Sequence, residues 1–110
     1  MNNWSDWQPM PAPEDCRSIV GPSGPGVYQV RNKITNQFIQ FGEGGACQTR
    51  MRSLYPKPFG TGTRNNEAKR NYILQHWKSL EYRTLSTNTK AEAVIIDRQL
   101  KARKNHLFNT

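Results

Sequence analysis

The chain has 110 residues, 35% of them hydrophobic, and a formal net charge of +8. That length is one small domain, able to bury roughly two-thirds of its unfolded surface, with no room for a second core. No apolar run approaches the ~20 residues of a membrane span and the first residues carry no signal-peptide core, so the expectation is a cytoplasmic protein with no membrane partner. The lowish apolar fraction predicts a sheet with one face covered and one partly open.

Charge is unevenly placed. Residues 1–49 hold three basic and four acidic side chains, whereas residues 50–110 hold thirteen and four. A basic excess of this kind favours a polyanion, and nucleic acid fits better than a membrane because no basic amphipathic helix has a broad apolar face. Cys16 and Cys47 lack paired spacing, and His76 and His106 do not complete a zinc pattern. The thiols read as small hydrophobes in a reduced protein.

Residues 1–20 are rich in Pro, Asn and Asp but include Trp4 and Trp7, unusual in a disordered tail. They predict an arm lying against the domain that occupies residues 21–110. The cluster PSGPG at 22–26 launches a strand, GVYQV at 26–30, with a period of two. Residues 32–36 are the hairpin connection and 37–41 the return strand. GEGG at 42–45 then frees the backbone for close approach to a ligand.

A helix follows over 46–54. At about 100° per residue, Cys47, Met51 and Leu54 share a face. Arg50 falls at its edge and is held near the core, whereas Arg52 points to solvent. Residues 55–64 are a loop carrying Lys57 and Arg64. Asn65 or Asn66 caps a second helix running to about 78, whose stripe Ile73, Trp77 and Leu80 is core and whose Lys69 and Arg70 are surface charges. EYRTLS at 81–86 is a third strand, and Thr89 opens the last helix.

That helix has two acids. Thr89-Lys90-Ala91-Glu92 fits a capping box, which accounts for Glu92 structurally. Asp97 lies on the margin of a face completed by Ala93, Ile96 and Leu100 and is expected to be partly buried; Lys101, four residues on, offers it a salt bridge. A half-buried carboxylate facing a half-buried arginine suits phosphate chemistry, the acid ligating a divalent metal and the guanidinium taking oxyanion charge.

These landmarks resemble the GIY-YIG nuclease domain over about residues 24–110. Gly26-Val27-Tyr28 stands where the family has Gly-Ile-Tyr, and Gln40-Phe41-Gly42 where it has Tyr-Ile-Gly. Arg50, the 92–97 segment ending in Asp97, and Asn109 follow at the family's spacings. The resemblance implies an α+β fold in β-β-α-α-β-α order, a three-stranded antiparallel sheet flanked by helices. It implies phosphodiester hydrolysis with one Mg²⁺ or Mn²⁺ bound by Asp97, Arg50 clamping the phosphate and Tyr28 orienting or deprotonating the water. Gly26 and Gly42 would shape the cleft, and Asn109 would brace it. Gln40 replaces the family's second tyrosine and keeps an amide that can bond phosphate or water; Asp97 replaces its glutamate, one methylene shorter.

The leading expectation is a metal-dependent endonuclease acting on DNA with little sequence readout, since so small a domain has few elements to enter a groove; a partner protein is another source of specificity. Arg52, Lys57, Arg64, Lys69, Arg70, Lys101 and Lys104 would make salt-sensitive backbone contacts. A catalytically silent nucleic-acid-binding module on the same fold is the alternative, favoured by the Asp97 substitution. A third reading docks an acidic protein partner through Trp4 and Trp7.

Overall fold

The computed structural model describes residues 4–55, 59–60 and 67–109. Strands β1 (Gln8–Pro9), β2 (Gly26–Asn32) and β3 (Gln37–Gly44) precede helices α1 (Cys47–Arg52) and α2 (Glu67–His76); β4 (Leu80–Ser86) and α3 (Lys90–Arg103) close the order. From Gly26 onward this is the expected α+β succession. The sheet has four strands rather than three, antiparallel throughout, in the order β1-β4-β2-β3. The added strand comes from the arm, where two residues pair with Tyr82 and Glu81 of β4. So short a segment, ending in a proline suited only to an edge, has no periodicity to read.

Alternation in β2 builds two cores. Tyr28 and Val30 join Ile39, Cys47, Met51, Ile73 and Tyr82 on the α1–α2 side. Val27 joins Phe41, Leu85, Ala93, Ile96 and Leu100 on the α3 side. Both faces are therefore covered, contrary to the expectation of one partly open face. Composition understated coverage because Gln29 and His106, which are polar, are also buried.

The hairpin turns through Asn36 in the left-handed region (φ 58°), while Asn32 Oδ1 accepts from the amides of Ile34 (3.0 Å) and Thr35 (3.3 Å), the local bonding that favours asparagine in turns. Beyond it, β3 carries a bulge opposite Val30 and Arg31. Both sheet edges have covers, as exposed edges require. The arm lies along β4, and the C-terminal tail bonds to β3 through Leu107 N to Phe38 O and Phe108 N to Ile39 O.

Helix boundaries shift modestly. α1 starts at Cys47 and stops at Arg52, with no side-chain cap; its first amides donate instead to Gly24 O and Pro22 O, so the 22–26 turn caps this helix as well as launching β2. The second helix ends at His76, with residues 77–79 in a 3₁₀ turn; Trp77 there is only half-buried, packed against the first core. The expected cap at Asn65 or Asn66 lies outside the described residues. Thr89 caps α3, its hydroxyl oxygen accepting from Glu92 N at 3.2 Å.

Candidate functional site

Three elements converge at the far end of β3. Gly42 pairs with Tyr28 across the β2–β3 ladder, and the tyrosine ring lies over it: a Cβ at Gly42 would sit 2.5 Å from Cζ and 2.6 Å from Cε2. Real Cβ atoms do not approach that closely, so glycine is what lets the ring lie flat on the strand. One step on, a Cβ at Gly44 would come 3.1 Å from Cβ of Arg50, so the stem of Arg50 runs from α1 across the strand end. Asp97 of α3 completes the group. Tyr28 lies within electrostatic reach of Arg50, Cys47, Asp97 and Glu43, and Asp97 within reach of Glu43, Lys101, Arg50 and Lys69.

The electrostatics follow from burial. Removal from water pushes the Tyr28 phenol up to about 12, with Arg50 opposing and Cys47, Asp97 and Glu43 reinforcing. The phenol is a proton donor across the neutral range, which favours orienting a water over deprotonating it. Burial raises the Asp97 carboxyl, the Glu43 charge adds to this, and Lys101, Arg50 and Lys69 pull it back. Lys69 is lowered by burial and by Arg50. Burial and the Glu43 charge push Cys47 up to about 12, too high for thiolate chemistry.

The other expected site residues fall as follows. Gln40 is buried, with its Nε2 unpartnered, two residues before Gly42 on the same strand. Gly26 is packed so that a Cβ would meet Leu85 O at 2.8 Å. Asn109 Nδ2 donates to Lys101 O at 2.8 Å, bracing the end of α3 one turn beyond Asp97. Ion pairs join Arg31 to Glu81 and Lys90 to Glu43; Asp97 makes none with Lys101.

Two basic residues need correction. Arg70 is buried, 8% exposed, rather than a surface charge. It stands three residues before Ile73 on the packed side of α2, a placement the helical period contains. Arg52 is half-buried with Nε shut off from water, so it does not simply face solvent. Lys101 and Lys104 are exposed at the end of α3, while Lys57 and Arg64 lie outside the described residues. Trp4 and Trp7 are not free anchors: Arg83 lies 4.4 Å from one ring centroid and 4.6 Å from the other.

Lys69, expected as a surface charge, is half-buried, and Glu43, expected as an exposed loop acid just beyond the second strand, lies within β3 and is largely buried. Lys69 joins Arg50 and Asp97, and Glu43 shares the field of Asp97. The glycines flanking Glu43 were the available signal, because they leave the backbone around it open to close approach. A separate open groove of about 720 Å³ lies beside β4, lined by Ser18, Val20, Tyr82, Thr84 and Ser86 among others. Its hydroxyls include no charged group, and Tyr82 already accepts from Val20 N, so it offers no acid–base chemistry.

Among the described residues no three His, Cys, Asp or Glu side chains cluster. Mg²⁺ is usually held by one or two carboxylates and keeps several waters; half-buried Asp97 and Glu43, which lies in its field, are the carboxylates that could hold one here. No protein-family profile and no curated protein matches the chain.

Proposed function

We propose that this chain is a divalent-metal-dependent endonuclease, similar in fold and site to the GIY-YIG nucleases, that hydrolyses DNA phosphodiesters. The reading is supported by one observation: Tyr28 of β2 lies against Gly42 and the stem of Arg50 against Gly44, with Asp97 of α3 within electrostatic reach of both. Asp97 holds the ion, Mg²⁺ or Mn²⁺. When bound, such an ion supplies Lewis acidity toward the phosphate and a water of lowered pKa.

The chain's own groups do the rest. Arg50, its stem fixed over Gly44, binds a phosphate oxygen and takes the charge that develops there. Lys69 adds positive potential on the same side. The neutral Tyr28 phenol donates a hydrogen bond that orients the attacking water or the phosphate. Gly42 leaves the ring its place against the strand, and exposed Lys101 and Lys104 steer the backbone.

Supercoiled-plasmid nicking with Mg²⁺, Mn²⁺ or EDTA tests this on wild type, Asp97→Ala and Asp97→Glu. Metal-dependent nicking lost in Asp97→Ala is the expected result. DNA retention with no product in either metal, for wild type and Asp97→Glu alike, would establish the silent binding module instead. That second reading draws on the short Asp97 side chain, since pulling an oxygen back by roughly 1 Å can cost ~10²-fold in rate.

A further inference from the structure

Glu43 has no counterpart in the resemblance, and its surroundings are unusual. Its Oε2 is closed off from water and makes no hydrogen bond. Among the described residues one cation meets it, Lys90 Nζ at 3.5 Å. Charge-assisted hydrogen bonds to carboxylates run at about 2.7–2.9 Å, so this contact is an ion pair and no more. Lys90 is a loose partner besides, its side chain 61% exposed and its stem lying near Gly45, whose Cβ would be 3.6 Å from Lys90 Cδ.

The same helix face carries the other acid. Lys90 and Asp97 are seven residues apart in α3, about two turns, and so share one margin of the helix that packs against β3, with Asp97 in the field of Glu43. Glu43 projects from that strand between the ladder positions of Gly42 and Gly44. A desolvated carboxylate oxygen, a weakly held ammonium and a second carboxylate on one helix face form a place suited to a harder cation than lysine.

We propose that Glu43 is a second ligand to the divalent ion held by Asp97, and that Lys90 keeps Glu43's charge balanced until the ion binds. This rests on the metal-site reading above. Asp97 is one methylene short of the family's glutamate, and Glu43, reaching in from the strand, supplies the missing contact. Two carboxylates match the charge of one divalent ion and leave its other positions to water and phosphate. Lys90, released from Glu43, stays at the cleft mouth as a free ammonium for the incoming backbone.

The test is calorimetric titration of Mn²⁺ into the full chain without DNA, for wild type, Glu43→Gln, Asp97→Asn, Lys90→Met and the Glu43→Gln/Lys90→Met double variant. Glu43→Gln should weaken binding by about tenfold or more. Lys90→Met should tighten it about two- to fivefold, the size of an exposed ion pair, and should do so only while Glu43 is present. Affinity unchanged in Glu43→Gln but lost in Asp97→Asn overturns the role of Glu43 and leaves the metal site standing. Absence of Mn²⁺ binding in wild type overturns both. Should Glu43→Gln unfold, seen by circular dichroism, Lys90→Met decides alone: no tightening sinks the proposal.

Discussion

Two polar clusters in this small sheet are bonded to different degrees. Beneath Trp4 and Trp7, Arg83 Nε donates to Gln29 Oε1 at 2.8 Å, and Gln29 Nε2 meets His106 Nε2 at 3.0 Å. Arg31 pairs with Glu81 at 2.6 Å and lies 4.1 Å from the Trp7 centroid. The end of β3 is tied more loosely, by the Lys90–Glu43 ion pair at 3.5 Å. Glu43 Oε2 is buried there without a hydrogen bond, and Arg50 and Asp97 lie in the field of the Tyr28 phenol. Buried polar groups normally find partners. The first cluster links Arg83, Gln29 and His106 in one chain of bonds, with His106 Nδ1 left without a partner; the second leaves Glu43 Oε2 unbonded, as the proposed metal site requires.

If so, the two clusters must fail differently. Asp97→Ala should abolish nicking, and Arg50→Ala should reduce it by about 10²–10³-fold, both with urea midpoints near wild type. Arg83→Ala should do the reverse. It strands Gln29 and removes the cation between two indole rings, costing about 2–4 kcal/mol, while nicking measured well below the midpoint persists. A destabilised Arg50→Ala beside an inactive but stable Arg83→Ala would invert the assignment.

Gly42→Ala should hit both properties, because the added Cβ and the Tyr28 ring cannot share one space. The ring must tilt into the α1-side core, at about 1–3 kcal/mol, and its hydroxyl leaves the cleft. Tyr28→Phe sharpens this: the ring stays, so stability should hold while nicking falls.

Acid should loosen the closed cluster first. Gln29 Oε1 accepts from Arg83, so its Nε2 is the donor toward His106 Nε2, and the neutral ring carries its proton on Nδ1. A second proton would break that bond. Burial, with Arg103 assisting, holds His106 down at about 4 from its ordinary 6.5. The unfolded chain therefore takes up the proton first. The stability His106 contributes is complete above pH 6.5 and is lost as pH falls toward 4. Urea midpoints measured from pH 7 to 4.5 should fall in wild type and fall less in His106→Gln.

Much of this was legible because it is local. The 22–26 turn, the Asn32–Asn36 hairpin and the Thr89 cap are short-range devices, and Arg50, Tyr28 and Asp97 could be placed from spacing on recognisable elements. The fourth strand could not, since two residues at an edge have no pattern. Arg70 was assigned by charge when the helical period put it on the packed side. Gln29 and His106, far apart in sequence, become core only through each other, and Glu43 gained its setting from Lys90 and Asp97, two turns apart on another element.

The smallest effect separates frame from site within α3 itself. Thr89 Oγ1 accepts from Glu92 N at 3.2 Å, whereas the Glu92 carboxylate receives only the threonine hydroxyl, at 3.4 Å. Thr89→Ala leaves a first-turn amide without its acceptor and should cost about 1 kcal/mol. Glu92→Ala should cost less, its longer contact being exposed to water. Asp97 lies two turns further in, where fraying of the first turn does not reach. Both variants should therefore lower the urea midpoint in that order while nicking at 25 °C stays close to wild type. A cap variant as inactive as Asp97→Ala would mean that the first turn of α3, where Lys90 meets Glu43, is itself part of the site.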